Sequence, residues 1–135
     1  MNAPQSADVA AAIDTIEATY DLMLAYAAQG RAREAEDPMG VRQGLRNALA
    51  ALDVLAAASP ESLNAPAGEA TLAAAAMLDV LRDDARKSRA AFAFVLAQPS
   101  IGSQIVDNLN ASIHVRALLT GLFLIDETLS VTGVS

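Results

Sequence analysis

Residues 117–125 are the most restrictive segment of this sequence. They read A-L-L-T-G-L-F-L-I, so a helix formed here is apolar on every side. A helix on the surface of a small protein is normally apolar along one stripe only. This segment must therefore be enclosed by other helices or covered by another protein chain. The sequence predicts helical packing together with self-association.

Apolar residues recur at alternating steps of three and four in four segments, which is the period of an amphipathic α-helix. Residues that stop or break helices separate these segments: Gly30, Ser59 with Pro60, and Pro99. The predicted helices cover residues 7–29, 38–58, 69–98 and 100–129. Long helices with mostly short connections favour an antiparallel four-helix bundle. We therefore expect an all-α fold in a single domain over 1–135, with a frayed tail at 130–135.

Charge and composition narrow the classes of function. The formal net charge is −7 and the isoelectric point is near 4.4, which argues against binding nucleic acid through its phosphates. There are no cysteines, so disulfides, zinc-thiolate sites and cysteine nucleophiles are excluded. The N-terminus has no basic region followed by an apolar run, and no uncharged apolar run approaches the roughly 20 residues that span a bilayer. We expect a cytoplasmic protein without a membrane span.

An acidic ridge follows the first predicted helix, because Asp14, Glu17 and Asp21 step by three and four residues. Ferritin-like di-iron bundles also use helix carboxylates, but they combine them with Glu-x-x-His motifs. This chain has one histidine, and residue 111, three positions before it, is alanine. The sequence therefore predicts no metal site, and no cofactor fingerprint is present.

Arg116 falls between Ile105, Leu109 and Leu119 on the wheel of a continuous helix over 100–129, which is its apolar side. A buried arginine needs an anionic partner, or it must extend its head to solvent. We expect a buried charge pair between Arg116 and one of the three carboxylates of the acidic ridge, Asp14, Glu17 or Asp21.

His114 lies on the polar side of the same predicted helix, in line with Asp107. A solvent-facing histidine midway along a helix is how histidine-phosphotransfer domains present their phosphoacceptor, and this chain is similar to them in size and class. Their motif carries a lysine and a small residue just after the histidine, whereas here Val115 and Arg116 follow. The resemblance implies a signalling module that uses His114 as phosphoacceptor.

The function predicted from these patterns is that of a non-enzymatic interaction or regulatory protein, an adaptor or a chaperone of a client helix. No phosphate-binding loop occurs, and one histidine gives no reason to propose a catalytic triad. We expect a homodimer, or a complex with an unidentified protein, through an apolar patch in which Leu118 and Ile125 face outwards in line with His114. The predicted interface residues are Leu118, Leu122, Phe123 and Ile125.

A third possibility is a small-molecule binder. Its site would lie in the core of the bundle near Tyr20, Phe92 and Arg116. The sequence ranks this possibility below the other two.

Overall fold

The computed structural model describes residues 4–34, 36, 40–63 and 68–129, and within these ranges the chain is helical without a strand. It contains five α-helices and one short 3₁₀ turn, Pro60–Leu63, in the described ranges. The helices are α1 (Ser6–Ala28), α2 (Val41–Ala56), α3 (Glu69–Leu96), α4 (Ser103–Ala111) and α5 (Ile113–Leu129). The predicted all-α class is confirmed. Residues 37–39 and the predicted frayed tail 130–135 lie outside the described residues.

The first three predicted helices form with ends close to those expected. Gly30 follows the end of α1 with φ 63°, a left-handed backbone conformation that glycine adopts at little cost. The second helix begins later than predicted, at Val41, because Gly40 is still extended. It packs between α1 and α3. Arg89 of α3 forms an ion pair with Asp53 of α2, and Arg82 donates to the carbonyl of Ala58, so α2 and α3 run antiparallel.

The fourth predicted helix is two helices, and this is the main correction to the sequence-based fold. Ser112 leaves the helical conformation with φ −55° and ψ 132°, and α4 and α5 meet there at an angle of 60°. The Ser112 carbonyl accepts the first hydrogen bond of α5, from Arg116 N–H at 3.0 Å, as an N-cap residue does. As a result α4 packs mainly on α1, and α5 packs mainly on α3.

The connection before α4 is tied to the end of α1 by buried hydrogen bonds. Tyr26 donates its hydroxyl to the Ile101 carbonyl at 2.5 Å, and the Ser103 hydroxyl donates to the Tyr26 carbonyl at 2.7 Å. Gly102 passes so close to the chain after α1 that a Cβ there would lie 2.9 Å from the carbonyl oxygen of Ala32. The start of α4 is therefore fixed against α1 by backbone as well as side-chain contacts.

Candidate functional site

Three of the four predicted interface residues are part of the protein's own core. Leu118, Leu122 and Ile125 are 1%, 0% and 3% exposed. The prediction that Leu118 and Ile125 form an exposed patch is therefore wrong. Phe123 is 46% exposed, and its neighbour Leu124 is 55% exposed. The exposed apolar surface in the second half of α5 is thus smaller than predicted and lies on these two side chains.

Arg116 is exposed, so the predicted buried charge pair is also wrong. In the part of the chain that the structure describes, no ion pair joins Arg116 to Asp14, Glu17 or Asp21. The cause is the break at Ser112, because the helical wheel that placed Arg116 beside Leu109 assumed one continuous helix. The acidic ridge therefore lacks the ion pair with Arg116 that the sequence predicts.

His114 is exposed, as expected for a phosphoacceptor, but it is not midway along a helix. It is the second residue of α5, next to the break. It lies close enough to Asp83 of α3 to contribute slightly to the lowered pKa of that carboxyl group, which arises chiefly from the hydrogen bond that Lys87 donates. Nothing else around His114 reproduces the phosphotransfer motif, and the signalling role stays a prediction.

The core space proposed for a small molecule is nearly filled. Its volume is about 10 Å³, which is the room for roughly one water molecule. Tyr20 and Phe92 line it as expected, whereas exposed Arg116 does not. Drug-sized ligands occupy pockets of roughly 300–1,000 Å³. The described residues therefore contain no preformed ligand cavity at this place.

Glu17 of α1 lies near three other carboxylates, Asp14 and Asp21 on its own helix and Asp126 on α5. The pKa of Glu17 is raised, first by burial and then by the negative charges of Asp126, Asp14 and Asp21. One carboxylate oxygen of Glu17 is buried and has no hydrogen-bond partner among the described residues. Asp126 belongs to α5, so Glu17, the middle residue of the acidic ridge, lies near that helix.

Phe123 completes this surface, because it lies one turn before Asp126 on α5. We call the surface the α1/α5 face and define it by Asp14, Glu17, Asp21, Phe123 and Asp126. Within the described ranges, no ion pair engages any of the three α1 carboxylates. The face therefore presents an exposed aromatic ring beside concentrated negative charge.

One arginine lies at the edge of the α1/α5 face. Arg116 precedes Phe123 by two turns on the same side of α5. A single cation at that distance does not neutralise the three carboxylates of the acidic ridge. Among the described residues, no group of acidic or histidine side chains has a geometry that could hold a metal ion. The face is suited to binding a cationic and partly apolar surface.

Sequence reasoning missed a second group of exposed apolar side chains, on α3. The exposed side of this helix carries Asp79, Asp83 and Lys87, a mixed-charge pattern that is typical of a solvated face. Leu72, Val80 and Phe94 also lie outside, at 75%, 51% and 70% exposure. The four-residue steps from Leu72 through Ala76 to Val80 were the available signal.

No single helix in the described ranges is long and apolar enough to cross a membrane, although α4 and α5 together, bent by 60°, have the required length and composition. The sequence matches no protein-family model, and comparison with curated proteins and with solved structures gives no match. The function must therefore be inferred from the residues of this chain alone.

Proposed function

We propose that this protein is a non-enzymatic interaction protein, an adaptor or a chaperone of a client helix, that binds a basic amphipathic helix across the α1/α5 face. The observation that carries the proposal is the exposed ring of Phe123 beside the acidic ridge of α1, whose carboxylates Asp14, Glu17 and Asp21 have no ion pair among the described residues. Exposed aromatic side chains are frequent anchors of protein interfaces.

The chemistry of the face selects the class of partner. The apolar side of a bound helix would cover Phe123, as in other complexes in which an amphipathic helix lies in a groove. Lysine or arginine side chains at its edges would approach Asp14, Glu17 and Asp21. Such charge complementarity mainly raises the association rate and excludes acidic partners.

We also infer that the five helices form a four-sided antiparallel bundle in which α4 and α5 share the fourth side. The packing of α1 on α2 and α4, and of α3 on α2 and α5, supports this arrangement. In such a bundle the α1/α5 face lies on the outside, between two helices, where a partner helix has room to dock.

The proposal is tested with a fluorescently labelled 18-residue helical peptide made of leucine on one side and lysine on the other. Fluorescence anisotropy should show binding that weakens as salt is added, because the ionic part is screened. Phe123→Ala should lower the affinity about tenfold, the effect of removing one interface anchor. A peptide of the same composition in scrambled order, which has no apolar side, should bind much more weakly.

Phe94→Ala is the matched control, because Phe94 is another exposed phenylalanine but lies on α3. It should leave the affinity for the peptide unchanged. Equal loss in both phenylalanine variants, or equal binding of the scrambled peptide, would contradict the proposal. A leucine/glutamate peptide that binds as well as the leucine/lysine peptide would contradict the assignment of a basic partner.

A further inference from the structure

The outward side of α3 has a regular composition that partner binding at the α1/α5 face does not use. On one flank α2 is held by Arg82 and Arg89, and on the other flank α5 packs at Gly121, whose position lies against Leu81 and Met77. Between these flanks one row of exposed residues follows the helix. We call it the α3 outer face; its residues are Leu72, Ala76, Val80, Asp83, Lys87, Ala90 and Phe94.

The apolar ends of this face are complementary to each other in shape. Phe94 is 70% exposed at one end, whereas the exposed residue Ala76 at the other end forms a shallow notch between Leu72 and Val80. Ala76 and Phe94 are 18 residues apart, which is five turns of an α-helix, so both side chains lie on one line about 27 Å apart. An antiparallel copy of the same helix would place each Phe94 over the notch of the other.

The charges in the middle of the face are complementary in the same register. Asp83 and Lys87 lie on either side of the midpoint between Ala76 and Phe94. Within one chain they form an exposed ion pair at 3.0 Å. In an antiparallel pair, Asp83 of each copy would face Lys87 of the other. Val80 would lie opposite Ala90, again a larger side chain against a smaller one.

Electrostatics also favour a second copy over another occupant here. With a net charge of −7, two copies repel each other over most of their surfaces. The α3 outer face carries one acidic and one basic residue among apolar ones, and the exposed Asp79 and Arg86 that flank it also have opposite charges, so it is locally neutral. A basic helix would gain little from it.

We propose that a second copy of this chain docks antiparallel on the α3 outer face and forms a two-fold symmetric dimer, with Phe94 of each copy packed at Ala76 of the other. A two-fold contact in which a surface meets itself is the commonest form of soluble oligomer. The homodimer expected from the sequence then forms through α3 instead of α5. This proposal does not depend on partner binding by the α1/α5 face.

Sedimentation velocity over a range of concentrations measures the association. The wild type should form dimers at high micromolar concentration, and Phe94→Glu should weaken the dimer about tenfold or more. Circular dichroism checks that this exposed substitution leaves the fold intact. Phe123→Ala is the matched control and should dimerise like the wild type. Asp83→Lys and Lys87→Asp should each weaken the dimer, and the double exchange should restore it.

Cysteine cross-linking tests the register, because the chain has no cysteine of its own. Under mild oxidation, a mixture of Ala76→Cys and Phe94→Cys chains should give a cross-linked heterodimer. Either variant alone should not, because like positions are about 27 Å apart. A wild type that stays monomeric, a dimer indifferent to Phe94→Glu, or equal cross-linking of Ala76→Cys alone would overturn the proposal. The two proposals can fail separately. If Phe94→Glu is monomeric and still binds the leucine/lysine peptide, the proposed function holds without the dimer.

Discussion

Replacing Arg42 should test which interaction holds the two loops at one end of the molecule together. Its guanidinium donates to both carboxylate oxygens of Glu34, at 3.0 and 2.8 Å. It also donates to the carbonyls of Leu96 and Gln98, at 2.8 and 3.0 Å. Glu34 in turn accepts a hydrogen bond from the Ile101 N–H at 3.1 Å. One ion pair thus joins the α1–α2 connection, the start of α2 and both ends of the α3–α4 connection.

The expected loss of stability in Arg42→Met follows from the burial of the ion pair and from the number of hydrogen bonds that Arg42 makes. Both side chains are 24% exposed, so the pair lies between a surface ion pair, worth at most about 1 kcal/mol, and a fully buried one, whose disruption costs about 3–5 kcal/mol. Arg42→Met removes four charge-assisted hydrogen bonds and leaves two carbonyls without this donor. We expect the free energy of unfolding to fall by about 2–3 kcal/mol.

Urea unfolding measures this loss, and its pH dependence identifies the carboxylate. The hydrogen bond from Arg42 is the main reason why the pKa of Glu34 is lowered in the folded protein. The stability that ionised Glu34 contributes is therefore present above the unfolded value, about 4.3, and is lost as the pH falls through the lowered value. The difference in the free energy of unfolding between wild type and Arg42→Met should shrink over the same range of pH.

Arg46→Met is the matched control, because Arg46 is an exposed arginine one turn further along α2. It should change stability by less than about 0.5 kcal/mol. If Arg42→Met is no worse than Arg46→Met, or if its cost is the same at neutral and acidic pH, the ion pair does not have the role argued for it.

Four further substitutions have definite expected outcomes in the same unfolding assay. Glu17→Gln should stabilise the protein at neutral pH, because burial and neighbouring carboxylates raise the pKa of Glu17 and so penalise its charge; the gain should disappear at a pH below the unfolded value. A Cβ at Gly102 would press on backbone oxygens, so Gly102→Ala should cost about 1–3 kcal/mol. At Gly44 a Cβ would meet a leucine side chain that can move, so Gly44→Ala should be nearly neutral. Leu122→Ala should cost about 2–5 kcal/mol, because Leu122 is fully buried. A stabilised Gly102→Ala, an unaffected Leu122→Ala or a destabilised Glu17→Gln would each contradict the packing described.

Most of the secondary structure follows from local signals in the sequence. The apolar period predicts α1, α2 and α3 over 7–29, 38–58 and 69–98, and the structure has them at Ser6–Ala28, Val41–Ala56 and Glu69–Leu96. The helices end within a few residues of the residues that were predicted to stop them, as α1 does before Gly30. Such ends are set by the chain's own backbone preferences and need no knowledge of the tertiary structure.

The Arg42–Glu34 pair could not be predicted in this way. Each residue alone resembles an ordinary surface charge, and eight positions that cross a helix start separate them. Their importance comes from the carbonyls of Leu96 and Gln98, which only the fold brings near. The acidic ridge on α1 was visible in the sequence, whereas its position against Asp126 depends on how α5 crosses α1.

The break at Ser112 explains why the site predictions for the last helix failed together. An apolar period that continues across a break looks like one helix, and the sequence has neither glycine nor proline there. Because Ser112 is extended, the angular phase of α5 is not that of α4. Ile113, which one continuous helix would place in the apolar stripe four residues after Leu109, is therefore 76% exposed, and Leu118, predicted to face outwards, is 1% exposed.

The same change of phase determines which surfaces remain for partners. Turning α5 by 60° lets α3 and the core take up Leu118, Leu122 and Ile125, so most of the large apolar side chains of residues 117–125 are enclosed by helices of their own chain. What it leaves outside on the α1 side is Phe123, beside carboxylates that repel one another. An excess of apolar residues therefore does not require a dimer at α5. We therefore propose self-association through α3, where shape and charge are complementary under a two-fold axis, and binding of a basic partner at the α1/α5 face.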